Sequence, residues 1–144
     1  MSNERKLGGI HPARFEHGCI HIDYVGEVDA QAARDLLDAA TAWSTGAHSV
    51  WISDISQLGS FTPEARKVLS SMGGDQTVGE THVHTYFVGA SIKTKAVLSL
   101  VFAATRLMGR LRYHVTYCDE LDEARAKGHA KYDELATAGL VPPL

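Results

Sequence analysis

The residues here with the most evident chemical capacity are histidines, eight in a chain of 144. His82 and His84 lie two apart in a run of strand-forming residues, which puts both on one strand face, and His114 sits in the next such run. Three imidazoles suffice to hold a zinc-like ion. The same face continues through Tyr86 and Val88, however, which reads as packing. No acid is obviously placed to orient the rings, as a metal site requires. We therefore expect no metal and no cofactor. His21 and Asp23 form another i, i+2 pair, read as a solvated pair on an edge strand because nothing nearby resembles a nucleophile. The G-x-S-x-G, G-x-G-x-x-G and G-x-x-x-x-G-K-[ST] signatures are absent, so no enzyme is expected.

A second set of candidates lies where strands meet helices. Asp54 ends an apolar run and could bind a ligand hydroxyl or accept local amides. Ser56, Ser60 and Thr62 could form a small anion or partner site with the amides of the following helix, or simply make turns and a cap. Ser91 and Lys93 repeat that arrangement one unit later, with Lys95 beside them. Phe102 and Met108 belong to a segment, Ile92 to Met108, that is apolar around more of its circumference than one buried stripe requires. A larger core, a second copy of the chain or an apolar ligand could cover that surplus.

The elements that must position these residues follow from periodicity and punctuation. A polar arm, residues 1–9, precedes Ile10–Phe15, where Pro12 limits a strand to a sheet edge. Glu16, His17 and Gly18 form a turn, and Cys19–Val25 alternates, suggesting an edge hairpin. Asp29 caps a helix whose Ala33, Leu36, Leu37, Ala40 and Trp43 make one apolar stripe, ending at Gly46. Val50, Trp51, Ile52 and Ile55 form an interior strand. Thr62, Pro63 and Glu64 then start a second helix, stopped by Gly73 and Gly74. His82–Val88 is a third long strand. Ser91 caps the apolar helix, Gly109 closes it, and Leu111–Tyr117 is a further strand. Asp119 caps a last helix with Leu121, Ala124, Gly128, Tyr132 and Leu135 inward, before a tail at 139–144. The order β-β-α-β-α-β-α-β-α predicts an α/β fold with about five strands, four helices, a mostly parallel sheet and an antiparallel edge strand. Residues 10–138 form its single domain.

Composition narrows the function classes. With 44% hydrophobic and 22% charged residues the chain can bury a full core. A net charge of -3, without a basic run, argues against nucleic acid. Two cysteines, Cys19 and Cys118, are too few for a disulfide framework and read as free thiols. The N-terminus lacks the apolar stretch of a signal peptide, and Ala96–Ala104 is too short to span a membrane, so a cytoplasmic location is expected.

The run VWISDISQLGSFTPEARKVL, with YFVGAS before the third helix and YHVTYCDELDEA after it, resembles the SpoIIAA-like group of the STAS superfamily, in its branch with CRAL-TRIO-type lipid-binding domains. The likeness runs from about Cys19 to Gly128. It implies a βα superhelix of sequential strand order with an antiparallel edge. In the signalling members a serine at the start of the helix after the D-[IL]-S strand end is phosphorylated; aligned on Asp54-Ile55-Ser56, that position is Pro63, with Ser60 or Thr62 as the nearby hydroxyls. The resemblance therefore implies a protein-interaction or regulatory module without the usual phosphoserine and with an unidentified protein partner; the apolar surplus of the third helix adds the expectation of a homodimer. The alternative it carries is a small apolar-ligand or lipid carrier.

Overall fold

The computed structural model describes residues 3–71, 80–108 and 111–144, with the side chains of 104–108 outside the description. Gly73, Gly74, Gly109 and the Met108 side chain, all named above, fall outside the described residues. Six strands form one sheet in sequential order: β1 (Glu4–Leu7), β2 (His11–Glu16), β3 (Cys19–Asp23), β4 (His48–Asp54), β5 (Thr81–Val88) and β6 (Leu111–Cys118). β1 runs antiparallel to β2 and β2 antiparallel to β3, while β3 to β6 are parallel. Four helices accompany them: α1 (Ala30–Ala42), α2 (Pro63–Ser70), α3 (Ile92–Met108) and α4 (Leu121–Thr137).

The fold class is the expected one, with one strand more than the sequence pattern suggested. Glu4–Leu7, within the presumed polar arm, pairs with β2 and is the true edge. β2 is therefore not the sheet edge, and β3, paired with β2 and β4, is interior with Cys19 to Ile22 all buried. Pro12 pairs with Lys6 but lies before Ala13, where pairing with β3 begins, so β2 has only one neighbour at the residue lacking an N–H. His17 and Gly18, both at positive φ, form the two-residue turn that joins β2 to β3.

Parallel strands laid down in one direction, each returned by a right-handed crossover, put the connecting helices on the same side. That is the arrangement found for α1, α2 and α3. Ile20, Ile22 and Trp51 meet the α1 residues Ala32, Ala33, Leu36, Ala39 and Trp43, together with Ala65 and Leu69 of α2. Ile55 and Phe87 pack with Leu98 of α3. The opposite face receives α4 alone, where Cys19, Val50, Ile52 and Val88 meet Ala124, Tyr132 and Leu135. A Cβ added at Gly128 would stand 2.6 Å from the Ile52 Cδ1, so glycine sets how closely α4 approaches the sheet.

The helix starts follow their capping chemistry. Asp29 Oδ1 accepts from the Ala32 amide at 2.8 Å, Thr62 Oγ1 from Ala65 at 3.1 Å and Ser91 Oγ from Thr94 at 3.1 Å. α4 departs from expectation: its cap position is Glu120, not Asp119, and no side chain caps it there. Glu123 instead reaches back to accept from the Asp119 amide at 3.2 Å.

Candidate functional site

Between the sheet and α1–α3 the core does not close. A cavity of about 100 Å³ remains, lined from the sheet by Trp51, Ser53, Val83, Thr85, Phe87 and Tyr113. From the helices and loops Leu36, Leu58, Phe61, Leu69, Leu98 and Phe102 complete much of its wall. Packed interiors hold few voids larger than a water molecule, so a space of this size among large side chains is notable. It arises because a sequential sheet spreads three helices over four or more strands. The wall is aromatic: Phe87 and Phe102 stack at 6.0 Å between centroids, and Phe102 lies 4.4 Å from Tyr113. Phe102 and Tyr113 are half-buried, as are Tyr24, Leu58 and Phe61, so the wall is not sealed from solvent.

Among the described residues, no charged side chain lines this space. Its polar contribution comes from hydroxyls, those of Ser53 and Thr85 on the sheet and of Tyr24 and Tyr113 at the wall. Ser53 and Thr85 are 3% and 4% exposed. Burial raises the Tyr24 phenol above its ordinary range, so the ring stays neutral. The arrangement can hold an uncharged, mostly apolar molecule; it offers no nucleophile paired with a base and no anion clamp.

Of the candidate site residues whose side chains are described, only Phe102 lines the cavity. Asp54 Oδ1 accepts from the Ser56 amide at 3.0 Å and the Ser56 hydroxyl at 2.7 Å, the local turn that was its plainer reading. Ser60 lies 3.4 Å from Glu27, and Thr62 and Ser91 cap their helices. Lys93 is exposed, and Lys95 sits over the Tyr117 ring at 4.7 Å. These residues are spread along the ends of the parallel strands rather than drawn into one site. What sequence reasoning missed was the cavity floor. Ser53 and Thr85 are small polar residues in otherwise apolar strand runs, which was the available signal.

The face under α4 carries the histidines. Strand register sets His48 beside His82 and His84 beside His114. The four rings lie nearly parallel, His48 on His82 at 4.5 Å and His84 on His114 at 4.6 Å between centroids. His48 Nδ1 and His84 Nε2 are 3.0 Å apart, as are His82 Nδ1 and His114 Nε2, so in each pair one nitrogen donates and the other accepts. His48 was not foreseen, and neither was Glu80, whose carboxylate lies 3.7 Å from His82 Nε2. Across α4, His17 stacks on His129 at 4.5 Å, and His129 approaches His21. His21 is buried beneath the helix, which corrects its reading as half of a solvated pair with Asp23. Burial is the chief cause lowering His21 and His84 to about 4, with Arg14 adding to it at His21 and His114 and Lys131 at His84. Among the described residues, no group of three or more His, Cys, Asp or Glu side chains could hold a metal ion. Both cysteines are free and buried, and burial pushes the Cys19 thiol up to about 12.

No family model and no curated protein matches the chain. The resemblance to the SpoIIAA-like group therefore rests on the quoted motifs. Among the described residues, no helix is long and apolar enough to cross a membrane.

Proposed function

We propose that this chain is a non-enzymatic binding module that holds a small apolar ligand between its sheet and helices α1 to α3. The observation carrying this reading is the cavity of about 100 Å³ lined by Trp51, Phe61, Phe87, Phe102 and aliphatic neighbours. Ligand sites are concave, mostly apolar and largely preformed, with a few placed polar groups. The cavity has each of these features. The resemblance to the branch containing lipid-binding domains is in keeping with it.

The test is native mass spectrometry of protein purified gently from its own host. A retained mass that is lost on denaturation, and is absent from Phe102→Glu, is the expected result. Phe102→Trp, which narrows the space without adding charge, guards against the possibility that the glutamate variant does not fold. Retention of the same mass by both folded variants would refute the assignment.

A second reading, the STAS-like protein-interaction module acting as a homodimer, draws on a different surface. Ile92 and Leu100 of α3 are 88% and 74% exposed, so part of that helix's apolar surplus faces outward. Leu100→Asp is then expected to lower the association state in sedimentation without disturbing the cavity. An unchanged state would count against that surface.

A further inference from the structure

We infer that the occupant of the cavity is an uncharged single-ring aromatic molecule carrying one hydrogen-bonding group, of the phenol or aryl alcohol class, seated with that group on Ser53 and Thr85. This rests on the binding reading above and specifies its ligand.

Size comes first. An engineered cavity of about 150 Å³ lined by Leu, Ile and Phe takes benzene, so a space of about 100 Å³ holds at most one ring within the wall. Shape agrees, since Tyr24, Trp51, Phe61, Phe87, Phe102 and Tyr113 present flat walls suited to stacked or edge-on ring contacts. Charge is disfavoured because, among the described residues, no lining side chain is ionic and an unpaired charge is costly to bury there.

The hydrogen-bonding group is read from the cavity floor. Trp51 is opposite Thr85 and Ser53 is opposite Phe87, so Ser53 and Thr85 are diagonal neighbours on one face of β4 and β5. Neither hydroxyl bonds to another described residue. Among the described residues, no buried polar side-chain atom cut off from solvent lacks a partner. Part of the small accessible remainder of Ser53 and Thr85 therefore lies at their oxygens, on residues that line the cavity. Two buried hydroxyls left open in an apolar wall are destabilising, and a ligand hydroxyl placed between them satisfies both.

The experiment titrates the full chain with toluene, phenol and benzoate, following the Trp51 indole signal by NMR and affinity by calorimetry. Toluene and phenol are expected to perturb Trp51, and benzoate to leave it unmoved. In the Ser53→Ala/Thr85→Val double variant, phenol affinity is expected to fall roughly three- to tenfold, the value of about one hydrogen bond, while toluene affinity stays constant. Retained toluene binding shows that the variant is folded. Toluene binding without phenol, an unchanged phenol affinity in the double variant, or benzoate binding as tightly as phenol would each overturn the ligand class while leaving the cavity as a binding site. If neither toluene nor phenol enters, the binding reading fails and this inference fails with it.

Discussion

The two faces of the sheet are built from the same strands and solve opposite problems. On one, three helices cover apolar residues and leave a mostly apolar space with a few hydroxyls. On the other, a single helix covers Val50, Ile52 and Val88, and is flanked on both sides by imidazoles that a wider cover would have buried. One face has more cover than its side chains fill; the other has more polar rings than its cover can shelter from protons. Ligand sensitivity should therefore belong to the first face and pH sensitivity to the second.

The largest expected effect is acid destabilisation of the α4 face. His21 and His84 titrate near 4 in the folded chain and near their ordinary 6.5 when unfolded. Between these values the unfolded chain binds protons that the folded chain refuses, so stability is complete above about pH 6.5 and falls as the pH approaches 4. Each histidine contributes on the order of 3 kcal/mol to that loss. Urea unfolding at pH 7.5 and 4.5 measures it, and His84→Gln should remove roughly half of the difference. Equal stability at the two pH values would dissolve the contrast between the faces.

Gly128→Leu should come next, forcing α4 away from Ile52 and costing about 3 kcal/mol by the same unfolding assay. Its effect should leave toluene binding on the other face intact in whatever fraction is folded. Thr62→Ala, which removes the cap of α2, should cost about 1 kcal/mol without changing the acid response. Thr85→Val should act in the other direction, stabilising the empty protein by about 1 kcal/mol through removal of an unsatisfied hydroxyl. The smallest effect is expected from Lys131→Met: Lys131 helps lower His84, so its loss should move the acid transition slightly toward lower pH.

Local chemistry made much of this fold legible. Asp29, Thr62 and Ser91 cap where their sequences say they should, and the α4 stripe of Ala124, Gly128, Tyr132 and Leu135 is buried as its spacing requires. β1 was hidden because its four residues, three of them charged, have the composition by which edge strands avoid further pairing. The histidine row was half legible. Period-2 alternation placed His82 with His84, but adding His48 needed the β4 to β5 register, which no single strand encodes. The cavity was the least legible feature, since a void is set by how three helices settle over a sheet. Only the excess of apolar residues along α3 hinted at it, and that hint led to Phe102.

The sheet's two ends are also unlike, and this limits how copies of the chain could assemble. β1 offers four residues with Glu4, Arg5 and Lys6 among them, whereas β6 offers eight with Arg112 its only fully charged side chain. Growth of an open filament by strand addition would need both ends to be receptive. With one end blunted, head-to-tail strand addition is disfavoured, and any pairing through β6 would have to join β6 to β6 and close at two copies.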